Sequence, residues 1–199
     1  WDHQHQSTAP DPNSVYISRA APTPVVDRNH VFAFFECGDL VALTHDGRQV
    51  WTTSLSKLYG RFVNKFGLSS SPVQTDSAVI VLIDDEGPSC LVAISKADGS
   101  ILWKTDRTSR TSWSSPALLT LAGQPQVIVS SAGTIDSYDP ATGKQLWTYA
   151  DIGGNIATTP LPAGPDSFLV AASPGRSGEN SAVAQKSNAL IKVTRDGDQ

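Results

Sequence analysis

The chain has 199 residues, of which 39% are hydrophobic and 17% are charged, and its formal net charge at pH 7 is −4. No apolar run approaches the roughly 18 residues that a membrane-spanning helix needs, and the acidic balance gives no reason to expect a nucleic-acid partner. The sequence contains no Met and begins with Trp1, which indicates a trimmed or processed chain. Composition therefore predicts a globular domain with no membrane span and no nucleic-acid binding.

Short apolar or alternating runs follow one another along the chain, separated by turns rich in Gly, Pro and Asp. The first clear run is predicted as a strand at residues 31–36. Further strands are predicted at residues 72–74, 78–83, 90–95 and 101–105, and then at residues 115–121, 126–130, 134–138 and 144–149. No stretch of about 11 residues or more shows an apolar period near 3.6, so the sequence predicts an almost entirely β structure.

Two sequence markers recur at the same spacing. A Pro preceded by Ser or Thr stands at positions 24, 72, 116 and 160, and a Trp stands at positions 51, 103 and 147. Both markers give a repeat of roughly 44 to 50 residues. With four short strands in each repeat, this period predicts an all-β propeller of four-stranded antiparallel blades, and it fits a β-helix or a leucine-rich repeat less well. The blade units are predicted at about 20–53, 70–105, 114–150 and 158–199.

Each of these Trp residues closes a segment in which small and turn-forming residues recur. The recurring residues are Ala42, Gly47 and Trp51, then Ala93, Gly99 and Trp103, then Asp139, Thr142, Gly143 and Trp147. This pattern resembles the tryptophan-docking repeat of the PQQ-like, quinoprotein-type β-propellers. The third unit has Ser137 where the repeat has Ala, and the second unit has Ser95 and Asp98 at the polar positions.

The resemblance implies where each Trp lies and what the chain is related to. Each Trp is expected on an outer strand, packed across the groove between neighbouring blades, where its indole N–H needs a partner. The resemblance is closest to planctomycete-like repeat proteins of unassigned function, and more distant to the outer-membrane barrel assembly lipoprotein and to PQQ-dependent alcohol dehydrogenases. It also implies an extracytoplasmic location, either periplasmic or secreted.

The number of blades leaves the closure of the ring open. Four blades are predicted here, whereas the rings of this family typically have seven or eight, and a partial ring would expose apolar blade faces. The remaining blades are expected from the same polypeptide or from a second copy, with closure by four blades as a third alternative. Residues 1–19 could be the end of a preceding blade, with Trp1 as its docking residue, a ring-closing strand, or a frayed end.

Three long connections are candidates for binding, because loops on a rigid scaffold commonly carry function. They cover residues 54–71, 106–115 and 173–188, and a solvated linker is the alternative interpretation for each. If one face carries a site, the predicted residues are Arg61, Arg107, Arg110 and Trp113. Arginine suits an acidic or planar group on a partner, which could be a protein or a small molecule.

Other residues with chemical potential are interpreted as structural. The acidic run at residues 84–86 is expected to be a solvated turn rather than a Ca²⁺ site. His3 and His5 are expected in a flexible tail rather than at a metal. Cys37 and Cys90 are expected as free thiols, with a disulfide as the alternative.

The sequence therefore predicts a non-catalytic propeller scaffold that binds a protein or another ligand on one face. The alternative is a dehydrogenase dependent on PQQ and Ca²⁺. The resemblance implies a catalytic Asp, Ca²⁺ ligands and an adjacent Cys pair for such enzymes, and none of these is matched here, so no cofactor and no metal residues are predicted. A third interpretation is a purely structural module of a larger extracytoplasmic protein.

Overall fold

The structure is a computed structural model that describes residues 1–8, 20–172 and 181–195. In these residues the chain forms fifteen strands and two short helices, so the prediction of an almost entirely β fold is confirmed. The strands form four antiparallel sheets, and in each sheet consecutive strands are neighbours. This up-and-down order is the one that short hairpin turns produce.

The strand bounds follow the predicted repeat. Sheet one contains β1 (Val25–Val26), β2 (His30–Phe34), β3 (Asp39–Thr44) and β4 (Gln49–Ser54). Sheet two contains β5 (Val73–Gln74), β6 (Ala78–Ile83), β7 (Ser89–Ser95) and β8 (Ile101–Arg107). Sheet three contains β9 (Ala117–Leu121), β10 (Gln124–Ser131), β11 (Thr134–Tyr138) and β12 (Gln145–Tyr149). Sheet four has three strands in the described residues, β13 (Leu161–Pro162), β14 (Ser167–Val170) and β15 (Ala189–Lys192).

The strand register explains why the repeat has a small residue before each Trp. In sheets one to three this small residue pairs directly with the Trp of the next strand: Ala42 with Trp51, Ala93 with Trp103, and Ser137 with Trp147. Directly paired residues lie side by side on one face of the sheet, so a small side chain leaves room for the indole. The register shifts immediately after each pair, which makes the irregularity part of the repeat.

The chain divides into two compact units, Trp1–Thr111 and Ser112–Gln199. The first unit contains sheets one and two, and its core joins Phe32 and Phe34 of β2 to Val79 and Val81 of β6. The core of the second unit joins residues of β10 and β11 to β14, including Ile128, Ile135 and Phe168. In each unit, alternate residues of the strands point into the core, as the two-residue period of a strand requires.

Two short helices that were not predicted from the sequence lie in the long connections. Helix α1 (Leu55–Tyr59) follows β4, with the Ser54 side chain accepting the Lys57 backbone N–H. Helix α2 (Ser181–Lys186) occupies part of the predicted 173–188 loop, of which residues 173–180 lie outside the described part. A single helical turn is too short to show a 3.6-residue apolar period. None of the described helices is long and apolar enough to cross a membrane.

Both cysteines are free thiols in the structure. Cys90 is fully buried on β7, and burial raises the pKa of its thiol to about 12. Burial also raises the pKa of the half-buried Cys37, which lies in the turn between β2 and β3. Because the thiolate is the reactive form, both side chains are poor nucleophiles at neutral pH.

Candidate functional site

The acidic turn between β6 and β7 is buried, which corrects the prediction of a solvated turn. Asp84 and Asp85 are 2% and 0% exposed, whereas the neighbouring Glu86 is exposed. Carboxylates are rarely buried unless they are paired or hydrogen-bonded. The burial of these two side chains therefore depends on partners from other parts of the chain.

Asp85 holds the 54–71 connection through backbone hydrogen bonds. Its Oδ1 accepts the N–H groups of Val63 at 2.9 Å and Asn64 at 2.6 Å, and its Oδ2 accepts the N–H of Gly87 at 2.9 Å. The Asp85 carbonyl accepts the N–H of Arg110 at 3.0 Å. One buried residue thus joins the connection before sheet two to the connection that follows it.

Asp84 forms a buried ion pair with Arg107, the last residue of β8. The Arg107 Nε lies 3.0 Å from Asp84 Oδ1, and the two side chains are 2% and 1% exposed. Removing one member of such a pair would leave a buried charge without compensation. Arg107, which the sequence predicted as a partner-binding residue, therefore has a buried partner within the chain.

The other predicted binding residues divide between the two compact units. In the first unit Arg61 is exposed, and Arg110 is half-buried with its Nε donating to the Thr108 carbonyl at 3.0 Å. Trp113 belongs to the second unit, where it is half-buried and its backbone N–H donates to the Ile156 carbonyl. Arg61 and Arg110 therefore lie on two connections that both bind the Asp85 turn.

Three apolar side chains on the 54–71 connection are exposed, although no sequence signal marked them: Leu58, Val63 and Phe66. The same connection buries Phe62, which is 7% exposed and packs against Gly38 in the turn between β2 and β3. A Cβ placed on Gly38 would lie 2.5 Å from the Phe62 ring, so only glycine fits at this position. The connection is consequently clamped between the turns of sheets one and two.

Trp51 docks on the hairpin between β7 and β8. A Cβ placed on Gly99 would lie 2.7 Å from the Trp51 indole, and Gly99 has a positive φ of 76°. The Trp51 Nε1 donates to the Lys96 carbonyl at 3.0 Å, and the Thr53 hydroxyl donates to the Gly99 carbonyl at 2.6 Å. Gly99 of the second blade is therefore needed by Trp51 of the first blade, as well as by its own turn.

Trp1 docks on sheet one in the same way. A Cβ on Gly47 would lie 2.6 Å from the Trp1 indole, and Trp1 Nε1 donates to the His45 carbonyl at 2.8 Å. Although Trp1 is 69% exposed, it occupies the position on Gly47 that Trp51 occupies on Gly99. Of the three interpretations of Trp1, the structure favours a docking residue over a frayed end.

The segment that follows Trp1 is anchored as well, so the prediction of a flexible tail around His5 is wrong. His5 stacks on Phe35, with ring centroids 5.1 Å apart, and its Nε2 lies 2.9 Å from the buried Asp39 Oδ2. The backbone N–H of Thr8 donates to the same oxygen at 2.9 Å, and the Thr8 hydroxyl donates to Asp39 Oδ1. Asp39 thus organises the turn of sheet one much as Asp85 organises that of sheet two.

The Asp39 carboxylate makes stability depend on acid pH. Burial alone would raise its pKa, but hydrogen bonds from Thr8, His5 and Ser54 outweigh burial and hold the pKa below its usual value. A lowered pKa stabilises the fold above about pH 3.9, the ordinary value for Asp, and this contribution is lost as pH falls through the folded-state pKa. We expect the free energy of unfolding to fall less between about pH 5 and 2 in Asp39→Asn than in the wild type.

Urea unfolding at a series of pH values measures this effect. Thr8→Val is the informative companion variant, because losing the hydroxyl donor should raise the folded-state pKa of Asp39 towards its ordinary value and so make the acid loss smaller than in the wild type. Identical pH curves for the wild type and Asp39→Asn would contradict the assignment.

The sequence matches one protein family over nearly its whole length. The matching family model covers residues 1–197 and is described as "Outer membrane protein assembly factor BamB". The chain belongs to this family. No curated protein sequence matches the chain significantly.

Several solved structures are similar to this chain in fold. BamB from Moraxella catarrhalis shares 15% identity with a TM-score of 0.55, over 87% of this chain and 50% of that one. Quinohemoprotein alcohol dehydrogenase from Comamonas testosteroni shares 12% identity with a TM-score of 0.56, over 86% of this chain and 35% of that one. Quinohemoprotein alcohol dehydrogenase ADHIIG from Pseudomonas putida HK5 shares 21% sequence identity with a TM-score of 0.51, over 67% of this chain and 21% of that one. The chain thus spans half or less of these proteins, and the likeness identifies its four sheets as β-propeller blades.

In this BamB family member, the indole of Trp147 in the second unit has a different kind of hydrogen-bond partner from the indoles of Trp1 and Trp51 in the first unit. Its Nε1 donates to the Gln126 side chain of its own blade at 2.9 Å. The Ser137 hydroxyl donates to the same Gln126 oxygen at 2.6 Å, and the Gln126 amide donates to the Leu121 carbonyl at 3.1 Å. The polar Ser137 in the third repeat therefore belongs to a buried network that also satisfies the indole.

The fourth blade presents an apolar face in the second unit. Leu161, Leu169 and Leu190 are register partners across its three strands, and all three are exposed. They line a groove of about 600 Å³ together with Thr158 and Asn188. In the first blade the row with the equivalent register contains Phe32 and packs into the core, whereas in the fourth blade it is exposed.

No cluster of acidic, His and Cys side chains for a metal ion occurs at the acidic turn or elsewhere in the described residues. Among them, no group of three or more His, Cys, Asp or Glu residues is placed to hold a metal ion. The carboxylates of Asp84 and Asp85, which were considered for Ca²⁺, bind Arg107 and backbone N–H groups instead. Both carboxylates of the acidic turn therefore have structural partners within the chain.

Proposed function

We propose that the chain is a non-catalytic β-propeller scaffold that binds a protein partner through the loops of one face. The observation that carries this proposal is the convergence of residues 62–64 and 107–111 on the buried turn at residues 84–88. Two long connections are thereby held rigidly, and Arg61 is exposed on the first of them. A rigid face pays less entropy when it binds than a mobile one.

The family supports both the class of function and the location. Its description as an outer membrane protein assembly factor is consistent with a chain that works by contacting other proteins, in an extracytoplasmic compartment. Within the proposed site, Arg61 and Arg110 contact the partner and Arg107 holds the face. Trp113 remains a proposed contact of the second unit.

Site-specific photo-crosslinking tests the scaffold proposal. The full protein would carry a photoreactive phenylalanine derivative at position 61 or, as a matched control, at position 48, where Arg48 is exposed beside the hairpin between β3 and β4. In the source cells we expect a defined protein adduct from position 61 and none from position 48. No adduct from position 61, or the same adduct from both positions, would favour a purely structural module.

The second candidate is a quinoprotein dehydrogenase, and it is favoured only by the fold shared with quinohemoprotein alcohol dehydrogenases. Adding PQQ and Ca²⁺ to the complete protein and measuring alcohol-dependent dye reduction tests it directly. Turnover above the protein-free control would replace the scaffold proposal, and we expect none.

A further inference from the structure

The 54–71 connection displays large apolar side chains to solvent. Leu58, Val63 and Phe66 are 55%, 49% and 46% exposed. Single exposed apolar residues are common on protein surfaces, but a group on one segment is a feature of interaction sites. With Lys57, Arg61 and Lys65, which are all exposed, they form what we call the basic–apolar patch.

The charge of this segment is opposite to that of the chain. Residues 54–71 contain three basic residues and no acidic residue, whereas the whole chain has a net charge of −4. Lys65 lies over the Phe66 ring at 5.5 Å, and Lys104 from β8 lies over the Tyr59 ring at 4.9 Å. The patch therefore presents cations and aromatic rings together, a combination suited to acidic groups attached to apolar ones.

The exposure of the patch is imposed by its backbone. Phe62 and Asn64 are buried, whereas Val63 between them is exposed. The N–H groups of Val63 and Asn64 are both held by Asp85, and Leu55 anchors the start of α1 with 0% exposure. A site whose side chains are fixed before binding loses little entropy on binding.

We infer that the basic–apolar patch binds an acidic protein segment that carries apolar side chains, an inference that rests on the proposed function and names the partner's chemistry. Charge complementarity selects the acidic segment, and the exposed apolar side chains require apolar residues beside those acids. An anionic membrane surface fits less well, because Val63 lies beside Gly87 in the turn that carries the exposed Glu86. A peptide can avoid that one acid, whereas a continuous anionic surface and a chain of net charge −4 repel each other.

Peptide binding to the full chain tests the inference by fluorescence anisotropy. The probe is a labelled peptide of about 12 residues, about 40 Å long when extended, that alternates Glu or Asp with Leu or Phe. One control peptide replaces the acids with Lys, another replaces the apolar residues with Ser, and vesicles containing about 30% phosphatidylglycerol test the membrane alternative. We expect the acidic–apolar peptide to bind at least about tenfold more tightly than either control peptide.

Matched variants locate the binding site. Arg61→Glu and Phe66→Ser are expected to weaken binding of the acidic–apolar peptide about tenfold, and Arg48→Glu should change it by less than about twofold. All three residues are exposed, so circular dichroism and thermal unfolding should confirm that the variants fold. Equal binding of the peptides, stronger binding to vesicles, or no effect of Arg61→Glu would overturn the inference. If position 61 still yields a protein adduct in cells, the partner's chemistry is wrong and the scaffold function stands.

Discussion

Arg107→Met is expected to reduce the free energy of unfolding by about 3–5 kcal/mol, because it leaves Asp84 buried without its cation. The pair joins the end of β8 to the turn between β6 and β7, and both side chains are almost fully buried. Urea unfolding followed by circular dichroism measures the loss, and the altered face should also lower the yield of the crosslink from position 61.

A second variant separates loss of the pair from loss of packing. In Asp84→Leu/Arg107→Met no buried charge remains, so we expect stability to return to within about 1 kcal/mol of the wild type. Lys104→Met on the same strand is the matched control. Its partner Asp106 is exposed, and a surface pair contributes about 1 kcal/mol or less. A double variant as unstable as Arg107→Met would show that guanidinium packing, rather than charge compensation, stabilises the turn.

Gly99→Ala is expected to cost about 3 kcal/mol. A residue with a Cβ is strained by about 1–2 kcal/mol at the positive φ of this position, and the new Cβ would lie 2.7 Å from the Trp51 indole. The indole must move, and it then loses its stacking on Gly99 and its hydrogen bond to the Lys96 carbonyl. The remaining cost is the loss of this buried packing.

Gly123→Ala is the matched control, because Gly123 has a similar φ of 72° and nothing within 4 Å of an added Cβ. We expect it to cost only the backbone strain, about 1–2 kcal/mol. In a Trp51→Ala background the extra cost of Gly99→Ala should disappear, and urea unfolding of the four variants gives the coupling directly. If Gly99→Ala and Gly123→Ala lower the free energy of unfolding equally, the packing of Trp51 does not depend on Gly99.

The repeat could be predicted from the sequence because its causes are local. The strands of sheets two and three begin and end close to the predicted positions, since alternating apolar residues and Gly turns encode both. Ala42, Ala93 and Gly99 were singled out by their spacing alone, and the register and the docking of Trp51 supply the physical reason for that spacing.

The candidate site could be predicted only in part. Arg61 and Arg110 were identified as loop arginines, but nothing local distinguished them from Arg107, whose partner Asp84 lies 23 positions away in the sequence. The acidic turn was predicted to be solvated because the partners of Asp84 and Asp85 are also distant in the sequence. His5 was assigned to a flexible tail because its contact with Asp39 links residues 34 positions apart.

By itself, the sequence determined the all-β repeat and the propeller family. Such features depend on the period of a strand and on turns a few residues long, so a short window of sequence contains them. Only the tertiary structure decided that Asp84 and Asp85 are buried, that Trp1 docks on Gly47, and that Val63 points outward beside a basic surface. Those outcomes depend on which distant groups satisfy a carboxylate, fill a groove or clamp a backbone, and that information exists only once the chain has folded.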